Sequence, residues 1–303
     1  MSDLYSSLAA MVLLLLLGAA AQSRLRLSQT FYQGANTLII RVTLPAMILS
    51  SMDKPFSHEM LQKSAVLLLI AVGAFGTVMI GLEVWRHTSH LPAKTLGLYQ
   101  YLILVGNTAF MGYPVIQALL GSDGIFYASV FNIAHNLVTF SYAIHLLQRD
   151  HTAQWRTLFN NICLLASIVG LILFISPMKL PSVIYQALDW MGQITIPLCL
   201  ICMGANLSWT SFQRAIQSCS VWVISLTRLC VFPLLMIPIL YLLHCRDVTL
   251  IIPSILFATP AALTAGAFAQ QYGCDADFAS NVVVLSNVLA MVTIPLIVML
   301  LPV

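Results

Sequence analysis

Residues able to do chemistry are scarce in this chain, and they lie among apolar neighbours. Two stretches stand out: Val105-Gly-Asn-Thr-Ala-Phe-Met-Gly-Tyr-Pro114 and Phe257-Ala-Thr-Pro260-Ala-Ala-Leu-Thr-Ala-Gly266. Each sets small residues, with a hydroxyl or an amide, beside a proline inside an apolar run. Proline removes a backbone donor and clashes with the preceding turn, and its ring pushes the residue before it out of helical geometry. Glycine lowers the cost of unwinding. Freed main-chain groups cost several kcal/mol each in hydrocarbon, so such a break survives only where protein or a water-filled cavity pairs them. The amino end of each half-helix also carries free N–H groups and partial positive charge, which favour an anion.

A second set is amidic. Asn132 and Asn136 are four apart and share a helical face, with His135 between them. Asn287 occupies the corresponding place near the carboxyl end, with Asn281 and Ser286 close by. These side chains could pair the broken backbone, bind a solute, or hold helices together. His135 is a candidate for proton coupling or a structural polar contact. Arg228 is a charge inside an apolar run, which marks either function or a buried pair. Arg41 pairs with a carboxylate or snorkels, and Asp189 starts its run at an interface.

Catalytic patterns are missing. An intramembrane enzyme needs a Ser/His pair, paired aspartates or a motif such as HExxH within the spans. None occurs, and only Glu83 lies near a span end. Cys199-Leu-Ile-Cys202 has redox spacing, but no second pair and no βαβ pattern surrounds it, so it reads as two small apolar residues. No catalytic residue, metal ligand or cofactor is expected.

Composition sets the class. Of 303 residues, 60% are hydrophobic and 8% charged, against about 25% charged in soluble domains. A mean hydropathy of +0.93 requires apolar surface facing lipid. A span takes about 20 apolar residues, so the chain is filled by about ten of them, leaving no room for a soluble enzyme or nucleotide-binding head. The formal charge of +3 is dispersed along the chain and gives no sign of a nucleic-acid partner. Met11–Ala21 ends in small residues like a cleaved leader. Asp3 precedes it, however, and Arg24 and Arg26 follow, which suits an uncleaved first span with its amino end outside.

Ten apolar runs fall at 4–22, 33–52, 61–85, 95–119, 125–147, 157–176, 184–205, 217–243, 249–271 and 278–301. With the amino terminus outside, the inner loops carry most of the Lys and Arg, so both termini are expected outside. Thr43-Leu-Pro45 recurs as Thr195-Ile-Pro197, Asn136 as Asn287, and Pro114 as Pro260, each pair roughly 150 residues apart. The chain thus predicts an all-α membrane protein of ten transmembrane helices in two five-helix copies, 1–147 and 157–303, joined by a cytoplasmic loop at 148–156. Five is odd, so the copies are inverted. Matched breaks in inverted copies are a pointer to a substrate site.

These motifs resemble the auxin efflux carrier family. Gly106-Asn-Thr-Ala-Phe-Met-Gly-Tyr-Pro114, followed by Ala-Leu-Leu-Gly121, is similar to its fourth-helix signature. Ile196-Pro-Leu-Cys-Leu-Ile-Cys-Met-Gly-Ala-Asn-Leu207 is similar to the seventh, and Pro260 with Ala267-Phe-Ala-Gln-Gln-Tyr-Gly273 to the ninth. The resemblance implies scaffold and dimerisation helices 1, 2, 6 and 7, transport helices 3–5 and 8–10, and broken helices 4 and 9 crossing at Pro114 and Pro260. It implies a homodimer in the bacterial inner membrane and an elevator-like motion. The cargo would be a small organic anion such as malate, malonate or an auxin-like acid. The site is then expected around Asn107, Thr108, Gly112, Tyr113, Pro114, Asn132, Asn136, Thr259, Pro260 and Asn287, with a proton or sodium ion as the coupling partner of an importer. The second crossing lacks an asparagine beside Pro260. A sodium-coupled symporter of bile-acid type shares the architecture, but no carboxylate stands at the crossing to serve it.

Overall fold

Length and hydropathy make this chain helical, since only a helix satisfies every backbone group of an open segment within a bilayer. The computed structural model describes residues 2–25, 28–148, 161–176, 178–205 and 209–301. Among them the secondary structure is helical, and the only β pairing is one isolated antiparallel bridge, Gly106 with Ala261. Among the described residues six helices are long and apolar enough to cross a membrane: Thr30–Met52, His58–Thr88, Thr108–Leu147, Ser182–Ala205, Cys219–Leu242 and Ala276–Met299. Shorter apolar helices cover Ala9–Leu25, Ile162–Ile175 and Val248–Phe257. The loop expected at 148–156 lies almost wholly outside the described residues.

Two apolar runs are cut in the middle. The run at 95–119 becomes the helix Ala93–Leu104, an extended stretch through Asn107, and a new helix from Thr108. The run at 249–271 becomes Val248–Phe257 and Ala265–Gln271. Thr108–Leu147 contains its own bend at Gly121, with φ 62° and ψ −150°, a backbone state that glycine adopts without steric cost.

Three prolines explain a further irregularity. The widened π turns Ile39–Thr43, Thr108–Gly112 and Thr227–Val231 each end two residues before a proline: Pro45, Pro114 and Pro233. A proline ring collides with the carbonyl one turn back in a regular helix. Inserting one residue into the turn relieves that collision. A fourth widened turn, Thr139–Ala143, has no such proline.

Two compact units result. The first is drawn from Met1–Ala65, Ala109–Ile133 and Phe159–Leu207. Here Gly18 lies against the backbone of Ile201 and Gly204 against that of Leu15, so the Ser2–Leu25 and Ser182–Ala205 helices approach through small residues. Phe126 and Phe174 pack edge to face, 4.8 Å apart. The second unit is drawn from Val66–Thr108, Ala134–Leu158 and Ser208–Val303. Gly97 rests on the Leu146 carbonyl, Gln100 donates to the Leu82 carbonyl at 2.6 Å, and Phe75 packs on Phe257 at 5.0 Å. Both interruptions, at 105–107 and 258–264, belong to this unit.

Candidate functional site

The two breaks satisfy each other. In an unbroken helix the amide of Asn107 would donate to the carbonyl of Ile103. Instead it donates to the carbonyl of Pro260 at 2.7 Å, while the amide of Ala262 donates to the carbonyl of Val105 at 3.2 Å. The amide of Ala261 finds the Ser286 hydroxyl at 3.2 Å. Pro260 has no amide to place. Thr259 turns its hydroxyl back onto the Leu256 carbonyl, 2.7 Å away. Most of the freed polarity is thereby paired without water.

The carbonyl of Ile103 is left over, and Arg228 takes it. Its Nη1 donates to that oxygen, and Nη2 reaches the Thr259 hydroxyl at 3.5 Å. Arg228 rises from the widened turn Thr227–Val231 and is 2% exposed. Among the described residues its Nε has no partner and no carboxylate lies within ion-pair reach. It is the sole Asp, Glu, Lys or Arg among the buried described residues. Gly106 makes room for it, because a Cβ there would collide with the guanidinium and lie 2.6 Å from the Thr259 hydroxyl. Burying an ion costs several kcal/mol, and a hydrogen bond to a charged group returns about 1.5–3 kcal/mol. Two such bonds to neutral oxygens leave the charge under-compensated.

The expected crossing point is corrected. The segments meet at Gly106 and Ala261, and Pro114 lies eight positions after Gly106 as the second residue of the Tyr113–Val138 helix. The Thr108–Gly112 turn absorbs the proline, so the chain opens where glycine permits it and not where proline was expected to force it.

The expected site residues divide between the units. Asn107, Thr108, Thr259 and Pro260 gather at the crossing in the second unit, all but Pro260 among its most buried polar residues. Asn287 follows Ser286 there, and its amide group donates to the carbonyl of Val283 in its own helix at 2.7 Å, leaving Oδ1 without a partner among the described residues. His135, 6% exposed, lies 5.7 Å from the ring of Phe75, with neither nitrogen hydrogen-bonded among the described residues. Asn136 is half-buried in the same unit. Gly112, Tyr113, Pro114 and Asn132 belong to the first unit, where the Tyr113 hydroxyl contacts that of Ser129 at 3.3 Å and Asn132 is buried.

The profile described as "Membrane transport protein" matches residues 3–154 and 150–298. The chain belongs to that family. This membrane transport protein is thus of the auxin efflux carrier family, as its motifs suggest. An uncharacterized transporter of Methanothermobacter thermautotrophicus is 24% identical over 269 residues, covering 86% of each chain. An uncharacterized transporter of Methanocaldococcus jannaschii is 23% identical over 181 residues, 57% of this chain and 59% of its own.

The structure adds most to the reading of this transporter at Arg228, by supplying its partners. From the sequence Arg228 reads either as functional or as half of a buried pair. Its signal was present: a charge inside an apolar run, five residues before Pro233. What the pattern could not give was the partner, because the partner is a main-chain carbonyl freed by a break elsewhere. The sequence marks Ser286 only as a neighbour of Asn287, and its role as acceptor for Ala261 has the same kind of cause.

Proposed function

We propose that this membrane transport protein is a secondary carrier for a small organic anion, with the carboxylate held at the crossing of the two interrupted helices. The observation that carries the reading is Arg228, buried beside Gly106 and Thr259 with no carboxylate partner among the described residues. Main-chain dipoles of the half-helices, with Asn107, Asn136, Thr259 and Asn287, complete the recognition. Arg228 now joins the expected set.

In this reading the chain forms ten spans in two inverted copies with both termini outside, in a bacterial inner membrane. Helices 3–5 and 8–10 carry the cargo past a scaffold of helices 1, 2, 6 and 7 in a homodimer. Efflux of an anion needs no coupled ion, because the membrane potential contributes about 2.3 kcal/mol per charge per 100 mV. Uptake needs a proton, for which His135 is the candidate, or sodium.

The test is flux in proteoliposomes with labelled mono- and dicarboxylates, with and without pH and sodium gradients. Specific carboxylate flux that disappears in Asn107→Leu and Asn136→Leu, with the purified variants still folded, supports the assignment. Unchanged flux in both variants rejects it. Carboxylate flux that requires sodium moves the protein to the symporter class.

A further inference from the structure

The second unit carries a cavity of about 370 Å³ where three helix ends meet. Arg86 lines it from the last turn of His58–Thr88, Lys94 from the first turn of Ala93–Leu104, and His145 from the last turn of Thr108–Leu147. Ser89 and Gln148 add a hydroxyl and an amide. Among the described residues no Asp or Glu lines it.

Its two permanent cations keep donors to spare. Lys94 Nζ donates to the Gly273 carbonyl at 3.1 Å, and among the described residues no carboxylate lies within ion-pair reach of it. Arg86 places one guanidinium nitrogen 3.4 Å from Glu83, and that carboxylate also accepts the Tyr142 hydroxyl at 3.1 Å. An ammonium has three N–H groups and a guanidinium five. No side chain caps the start of Ala93–Leu104, so its first-turn amides add to the same sign of potential. The setting is the boundary of the bilayer. Arg86 ends a 31-residue apolar helix long enough to cross a membrane. Val84 and Leu91 are exposed apolar residues beside it, and Trp85 is of a type that gathers at that boundary.

We propose that this cavity binds the phosphodiester headgroup of an anionic membrane phospholipid, with Arg86 and Lys94 on the phosphate oxygens and the acyl chains beside Val84 and Leu91. A guanidinium fork matches two phosphate oxygens at once, and an ammonium adds a point charge. With both termini outside, these helix ends face the cytoplasm, the leaflet where anionic lipids attract basic residues near the surface. One headgroup would then tie together helix ends distant in sequence, among them Ala93–Leu104, the helix that leads into the break at Gly106. The site does not involve Arg228 and stands apart from the carrier reading.

The experiment takes the full-length protein, delipidated in a neutral detergent, with phosphatidylglycerol, phosphatidylcholine and inorganic phosphate as probes at equal ionic strength. Native mass spectrometry counts bound lipid, and the melting temperature is read alongside. Phosphatidylglycerol is expected to bind at least ~10-fold more tightly than phosphatidylcholine, in line with two basic side chains on one anionic headgroup. Arg86→Gln with Lys94→Gln should remove that preference. Arg24→Gln with Lys179→Gln deletes the same charge from exposed positions that do not line the cavity and should leave the preference in place. Ala93→Glu decides the matter if the double cavity variant does not fold. It keeps both cations, sets a carboxylate at an exposed lining position, and an acidic residue in the first turn favours a helix.

No preference in the wild type, a preference that survives both cavity changes, or an equal loss in the distant double variant overturns the inference. Inorganic phosphate that raises the melting temperature as far as phosphatidylglycerol and displaces it assigns the cavity to a soluble phosphate, and the lipid reading falls.

Discussion

The guanidinium of Arg228 donates to the carbonyl of Ile103, the oxygen whose ordinary helical partner, the amide of Asn107, has turned to Pro260. A helix break and a buried charge thus answer one another. The break supplies an acceptor for the cation, and the cation supplies a donor for the break. Neither is stable alone in a low-dielectric interior.

Arg228→Gln keeps an amide donor for the Ile103 carbonyl but removes the charge. Carboxylate binding should fall by roughly 10- to 100-fold, in line with one lost charged hydrogen bond. The thermal midpoint should stay near that of the wild type, since neutralising a buried ion is often neutral or favourable. Arg228→Lys should recover only part of the binding, because an ammonium lacks the fork that serves two acceptors at once. Equilibrium binding and a melting curve on each variant check both statements.

Gly106→Ala should be among the most damaging small substitutions in the chain. Its new methyl would strike the Arg228 guanidinium and crowd the Thr259 hydroxyl. Gly81→Ala adds the same methyl into open space and should be neutral or stabilising by up to about 1 kcal/mol, the helix preference of alanine over glycine. Melting temperatures of the pair, measured side by side, separate a tight backbone approach from a general intolerance of glycine replacement.

Ser286→Ala leaves the amide of Ala261 without its acceptor. An unsatisfied buried donor costs about 1–3 kcal/mol. Stability should fall by that amount, and hydrogen exchange at Ala261 should quicken, while exchange at Asn107, bonded to Pro260, changes less.

Gly204→Val drives a branched side chain into the backbone of Leu15. The Ser2–Leu25 and Ser182–Ala205 helices should separate, with lower expression and a lower melting temperature. The exposed ion pair of Lys63 with Glu59, at 2.7 Å, makes the opposite case. Glu59→Gln should leave the melting temperature unchanged, because an exposed i,i+4 pair contributes little.

Much of this was legible in the order of residues. Apolar runs near span length give helices because main-chain groups in hydrocarbon have no other partner. Pro260 marked one interruption, since proline weakens helix continuity, whereas the other was expected at Pro114 and opens at Gly106. Pro114 misled. Its effect depends on the turn before it, and the widened Thr108–Gly112 segment accommodates the ring without opening the chain. Arg228 and Ser286 were legible as residue types but not as partners, because each bonds a segment at least 25 positions away. Such pairings are decided by packing, and periodicity carries no record of them.

The widened turn at Thr227–Val231 holds one residue more than ordinary winding needs. Each residue advances a helix by about 100°, so this single insertion sets the phase between Arg228 and everything after it, including Leu235, Ile239 and Leu243. Deleting one position within Leu229–Val231 would swing those leucines and the isoleucine by about a quarter of a revolution relative to the cation. A frame error of one residue, harmless in most loops, would here aim charge and hydrocarbon in different directions.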